Sequence, residues 1–188
     1  MKENQRVRIS KQLLRKGLTD LLLEKSIHKI SVREICDKAE VNRTTFYKYY
    51  GSQYDLLADM EDEVLTQIER FLSSKNDDLS DNMEQITKTV TFVGEHSKLC
   101  KILFNNNVDP SFPERLLNLP RIRHIVTAHL QTEYEEENLE YMYTFIVGGG
   151  FSIIKQWINK EIREKPEDIA ALLNGIISKL FPALIMQQ

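Results

Sequence analysis

The sequence predicts an all-α protein: a small helix-turn-helix head, a connector helix and a longer helical body. Apolar residues recur at spacings of three and four along almost every segment, as helices with one buried face require. Only seven Gly and five Pro occur in 188 residues, too few for a turn-rich β fold. Helix-capping residues stand where the periodic segments begin: Ser31 with Glu34, Asn42, and Ser52 with Asp55.

Taken in order, Arg6 to Lys25 places Ile9, Leu13, Leu14, Leu18, Leu21 and Leu22 on one broad apolar face. Gly17 lies inside this helix at a cost in helix propensity, which close approach of another helix would offset. Ser31 opens a short helix to Lys38 with Val32, Ile35 and Cys36 turned inward. After the break Ala39-Glu40-Val41, Asn42 caps a second short helix reaching Tyr49. A long helix follows Ser52 and runs to Leu72, its apolar positions from Leu56 to Leu72 keeping helical period. Ser73 to Asp81 reads as a linker. Further helices are expected at 82–94 and 96–105, in a Pro-interrupted stretch ending at Leu119, and from Pro120 to Tyr134. The last two run from an Asn138 cap to Lys160 and from Pro166 to about Leu180. The resulting division is 1–50 head, 51–72 connector and 73–188 body.

Charge is split unevenly. Residues 1–50 carry a formal +6 and residues 51–188 carry −9. A basic head on an acidic body suits contact between the head and a polyanion. No apolar run approaches the roughly 18 residues that span a bilayer, and the polar opening MKENQRVRIS has no signal-peptide core. The expectation is a cytoplasmic protein without a membrane partner. Cys36 and Cys100 are isolated, and His28, His96, His124 and His129 have no metal spacing. No metal or cofactor is expected. Nothing resembles a Ser/His/Asp set, a phosphate loop or a nucleophile elbow, so catalysis is not expected either.

The two short helices and their three-residue break have helix-turn-helix dimensions. An α-helix fits the major groove of B-DNA, and its N-terminal side chains reach base edges. The second helix would turn Arg43, Thr44, Tyr47 and Lys48 to solvent, while Val41, Phe46 and Tyr50 pack back on the head. Arg43 suits guanine O6 and N7. Thr44 suits a thymine methyl or a phosphate. Tyr47, Lys48, Tyr49 and, on the preceding helix, Arg33 suit phosphates. Helix-start amides after Ser52 would form an anion site.

The stretch ISVREICDKAEVNRTTFYKYYGSQYDLL resembles the N-terminal signature of the TetR-type transcriptional regulators. The matches are Ser31-Val32-Arg33, Ile35, Ala39-x-Val41, Thr45-Phe46-Tyr47, Tyr50 and Asp55-Leu56. A later segment, FIVGGGFSIIKQW, is similar to one in some members. The resemblance implies DNA contacts from Arg33, Arg43, Thr44, Thr45, Tyr47, Lys48 and Tyr49, and Asn42, Ser52 and Gln53 complete the candidate set. Two positions depart from the family pattern. The turn residue, usually Gly, is Glu40, and the usual Lys opening the long helix is Gln53.

In the body, Phe92, Leu99, Cys100, Leu103, Phe104, Ile125, Leu130, Met142 and Phe145 are candidate walls of an effector pocket. Candidates for a four-helix dimer interface are Tyr143, Ile146, Val147, Gly150, Ile154, Ile158, Leu173, Ile176, Ile177 and Leu180. Gly148-Gly149-Gly150 admits three readings: close helix packing at that interface, which is favoured, a local bend, or a broken helix. The combined expectation is a homodimeric repressor bound to a pseudo-palindromic double-stranded DNA operator and released by an unknown small-molecule effector. The alternative is a coactivator of this family that binds a protein in place of DNA.

Overall fold

The computed structural model describes residues 5–73, 79–105, 108–130, 135–161 and 163–180, with the side chains of all of these except 79–83, 128, 129 and 180. Among the described residues there are ten α-helices and no strand. The inner residues 74–78 of the expected linker, the Tyr134 helix end, and the side chains of His129 and Leu180 lie outside them.

The head is built from α1 (Gln5–Leu22), a single 3-10 turn at Ile27–Lys29, α2 (Val32–Ala39) and α3 (Arg43–Phe46). In α1 burial begins only at Leu14. The neighbouring helices cover its C-terminal half, and Ile9 and Leu13 stay 45% and 41% exposed, contrary to the single buried face expected of them. Gly17 marks the seam with α2. A Cβ there would stand 3.2 Å from the Ile35 carbonyl oxygen and 3.3 Å from the Ala39 Cβ. The Ser31 capping box is complete. Its hydroxyl oxygen accepts from the Glu34 amide at 3.3 Å, while a Glu34 carboxylate oxygen accepts from the Ser31 amide at 2.9 Å. Lys25 and Ser31 together hold the Glu34 carboxyl down at about 2.

The connector is α4 (Gln53–Leu72). At its head end, Asp59 accepts from Tyr50 Oη at 2.7 Å and from Arg15 Nη2 at 2.7 Å, and Arg15 also pairs with Glu63. Burial opposes the Asp59 charge. The Tyr50 and Arg15 hydrogen bonds outweigh it and set the carboxyl below its ordinary value. Further along, Glu61 is 3% exposed. Its Oε2 accepts from Arg115 Nη1 at 2.9 Å, and Arg115 also reaches Asp62 at 2.7 Å and Asp109 at 3.6 Å. Burial first, then the Asp109 charge, push the Glu61 carboxyl up to about 7 against the pull of Arg115, with Asp62 adding a smaller push.

The body comprises α5 (Leu79–Glu95), α6 (Ser97–Phe104), α7 (Phe112–Leu117), α8 (Pro120–Leu130), α9 (Glu136–Asn159) and α10 (Pro166–Leu180). Two boundaries differ from the periodicity. Helix α5 begins inside the expected linker. Helix α9 starts at the acidic run rather than at Asn138, because Glu136 and Glu137 are stabilising in a helical first turn. The three glycines leave α9 unbroken. Gly94 lets the Trp157 ring close over α5, where a Cβ would stand 2.9 Å from Cη2. One apolar cluster runs from Leu14 and Phe46 in the head through Met60 and Val64 to Phe104, Phe112 and Leu173 in the body. A smaller one gathers Val126, Leu139, Met142, Ile146 and Ile177 around Leu130.

Gly17→Val should destabilise the chain by about 1–3 kcal/mol through overpacking of the α1–α2 seam, measured by urea denaturation. Glu61 binds its proton more tightly folded than unfolded. Stability should therefore fall as pH rises from about 4.5 through about 7. Glu61→Gln should become the more stable of the two by at most about 3 kcal/mol as pH goes from about 5 to about 8. A pH-independent difference in melting temperature would contradict this assignment.

Candidate nucleic-acid interface

Asn42 opens α3 as expected, its Oδ1 accepting from the Thr44 amide at 2.8 Å. The helix is shorter than Asn42–Tyr49. It ends at Phe46, and residues 47–49 form a turn in which the Tyr49 amide bonds back only three residues, to the Phe46 carbonyl. Phe46 is fully buried and Tyr50 is 6% exposed, and both rings enter the same core. Their centroids lie 5.6 Å apart.

That seating decides what faces outward. Asn42, Arg43, Thr44, Tyr47 and Lys48 are exposed, Tyr47 at 59%. Thr45 and Tyr49 are half-buried. Tyr49 packs against the core, with the Lys11 ammonium 5.8 Å from its ring centroid. Arg33 is exposed on α2 and lies 3.5 Å from the Asp37 carboxylate. Ser52 and Gln53 are half-buried at the start of α4. The Ser52 hydroxyl accepts from the Asp55 amide at 3.3 Å, and Asp55 itself accepts from the Gly51 amide at 2.9 Å. Of the helix-start amides after Ser52, that of Asp55 is thus capped by the Ser52 hydroxyl.

Glu40 takes φ 54 and ψ 36, the only positive φ of a non-glycine residue among the described residues. This left-handed conformation explains why the resembled pattern has Gly here, and it strains any residue with a Cβ.

In the body, a cavity of about 230 Å³ opens between α4 and the six body helices α5 to α10. Of the expected wall residues only Phe104 and Ile125 line it. Cys100 and Leu103 are fully buried in the core, Leu99 is half-buried beside it, and Leu130 and Met142 belong to the smaller cluster. Phe92 lines a separate surface groove with Phe71, and Phe145 is 63% exposed.

The expected dimer residues are redistributed in the same way. Ile146, Val147, Gly150, Ile154, Leu173 and Ile177 line the cavity. Tyr143 and Ile158 are buried, with the Tyr143 hydroxyl donating to the Leu117 carbonyl. Ile176 is half-buried. The period identified apolar helices correctly but could not say which of two apolar faces turns inward. The expected sets omit most of the cavity wall, Ile68, Leu72, Ile86, Thr89 and Val90 among it, and also Tyr141 and Leu172 on the surface, 78% and 49% exposed. A Cβ at Gly148 or Gly149 would meet nothing within 4 Å, so the close packing expected there does not occur within the chain.

Fold and exposed head together define a helix-turn-helix transcriptional regulator. Residues 80–179 match the family model described as a transcriptional regulator C-terminal region, and residues 15–60 match that of the bacterial regulatory proteins, tetR family. The chain belongs to the TetR family. It is 23% identical over 171 residues, 88% of its length, to the uncharacterized HTH-type transcriptional regulator YxbF of Bacillus subtilis. It is also 36% identical over 50 residues, 27% of its length, to the HTH-type dhaKLM operon transcriptional activator DhaS of Lactococcus lactis. These alignments span 44% and 27% of the two relatives. A TetR transcriptional regulator from Streptococcus agalactiae has the same fold, with a TM-score of 0.63 at 19% identity over 92% of this chain and 96% of that one.

Glu40→Gly should stabilise the head by about 1 kcal/mol by removing the left-handed strain. A guanidinium denaturation midpoint that does not rise would show that the turn is unstrained.

Proposed function

We propose that this chain is a homodimeric repressor that binds a pseudo-palindromic operator and is released by a small-molecule effector. The observation that carries the reading is the outward set Arg43, Thr44, Tyr47 and Lys48 on an element anchored by fully buried Phe46. Arg43 would read guanine in the major groove, Thr44 a thymine methyl or phosphate, and Tyr47, Lys48 and Arg33 the backbone. Thr45, Tyr49, Asn42, Ser52 and Gln53 are half-buried or engaged in capping, and they serve mainly to fix the register of that set.

In this proposal residues 1–50 act as the DNA-binding part, 51–72 as the connector, and 73–188 as the effector-binding and dimerising part. Dimerisation would use the outer faces of α9 and α10. Tyr141, Phe145 and Leu172 are exposed there, and Gly148, Gly149 and Gly175 leave room for a close partner helix. Two heads would then stand about one DNA turn apart, roughly 34–36 Å.

Induction follows from one shared helix. Ile68 and Leu72 of α4 line the body cavity, while Leu56, Leu57 and Met60 of the same helix pack in the core that continues into the head. A ligand that favours one position of Ile68 and Leu72 favours one separation of the heads.

Fluorescence-anisotropy titration with palindromic DNA from beside the protein's own gene, at low salt, tests the reading. Binding should weaken steeply with salt, and Arg43→Ala should lose about 1–3 kcal/mol of sequence preference. Absence of binding at micromolar protein would overturn it.

A further inference from the structure

The cavity in the body is lined almost wholly by aliphatic side chains: Ile68 from the connector, Ile86 and Val90 from α5, Ile125 from α8, and Ile154 and Leu173 from the last two helices. None of its lining residues carries a charge, and the one polar side chain among them is Thr89. The Thr89 hydroxyl is sealed from solvent and has no hydrogen-bond partner. This is unusual even for this chain. A helical threonine normally satisfies its hydroxyl on the carbonyl one turn back. Thr19 does so on Arg15 at 2.9 Å, and Thr127 on Arg123 at 2.7 Å. Thr89 does not. One turn earlier on α5, Gln85 is 3% exposed and also has both amide atoms unpartnered.

We infer that the cavity takes an uncharged ligand with a hydrocarbon body and a single hydrogen-bonding group, toward which the Thr89 hydroxyl, buried and unpartnered as it stands, turns about χ1. The inference deepens the effector-binding part of the proposed function and rests on it. A carboxylate or ammonium group entering here would lose its hydration and meet no opposite charge, so acids and amines are rejected. A hydroxyl, ketone or amide loses far less and supplies the partner that Thr89 lacks. Size follows from volume. An apolar cavity of 150 Å³ accepts benzene, so about 230 Å³ accepts a molecule of about ten non-hydrogen atoms.

Gly150 makes the site testable without damaging the fold. It lines the cavity, and a Cβ added there would meet nothing within 4 Å. Gly150→Leu therefore fills the cavity from a helix that gains propensity by the change.

The test is isothermal titration of the full chain with n-octanol, octanoate, octylammonium and butylbenzene at neutral pH. Octanol should bind, with octanoate and octylammonium roughly tenfold weaker or worse. Thr89→Val should weaken octanol several-fold and leave butylbenzene unchanged, the latter distinguishing a lost hydrogen bond from a deformed pocket. Gly150→Leu should abolish binding of both, with its melting temperature kept. Octanoate or octylammonium binding as tightly as octanol would overturn the inference. So would failure of all four to bind, survival of octanol binding in Gly150→Leu, or indifference of octanol to Thr89→Val. DNA titration of the same preparations separates the two readings. Operator binding without ligand binding sinks this inference alone, and ligand binding without operator binding sinks the repressor reading alone.

Discussion

A helix of four residues has no stability of its own, so everything the head turns outward depends on the seating of Phe46. Its ring is fully buried in the core cluster that also holds Leu14, Leu18, Ile35 and Leu56, at a burial worth about 1.5–3 kcal/mol. Tyr50 repeats the anchor one turn later and adds a directional tie through Asp59 to Arg15. Three segments distant in sequence therefore meet at one carboxylate. The exposed face of α3 is the geometrical complement of this burial: once Phe46 and Tyr50 point inward, Arg43, Thr44, Tyr47 and Lys48 point out.

The helix α4 belongs to two environments at once. Its first half is packed into the head, and Ile68 and Leu72 near its end face the cavity. Between them sits Glu61, buried beside Arg115 and close to the Asp109 and Asp62 charges. Close-packed interiors transmit strain, so a shift of α4 at the cavity has no soft layer to absorb it before the head. The Arg115 cluster ties that same helix to α7 and to the loop before it, which makes the joint of connector and body polar and geometrically specific.

Much of the head was legible from local chemistry. Capping is decided by residues three positions apart, so Ser31 with Glu34, Asn42, and Ser52 with Asp55 marked their helices correctly. Gly17 announced a close helix crossing, because Ala39 does lie against it. Glu40 was visible as a departure from the resembled pattern, and its left-handed backbone is the cost of that departure. The length of α3 was less legible. Periodicity runs on through Tyr49, while the helix ends at Phe46 and residues 47–49 form a turn.

In the body, periodicity recovered the helices and misassigned their faces. Helix α9 is apolar on several sides, so the sequence offered Phe145 to the interior and Ile146, Val147 and Ile154 to a partner. In the structure Phe145 is exposed and Ile146, Val147 and Ile154 line the cavity. By itself the sequence determined an all-α chain, its caps and the outward charge of the segment from Arg43 to Lys48, because those depend on neighbours within one or two turns. Only the tertiary structure decided which apolar face lines a cavity, which lies open beside the glycines, and that the Thr89 hydroxyl is buried without a partner. Those outcomes depend on how seven helices close around one space, and residue spacing along a single helix carries no record of it.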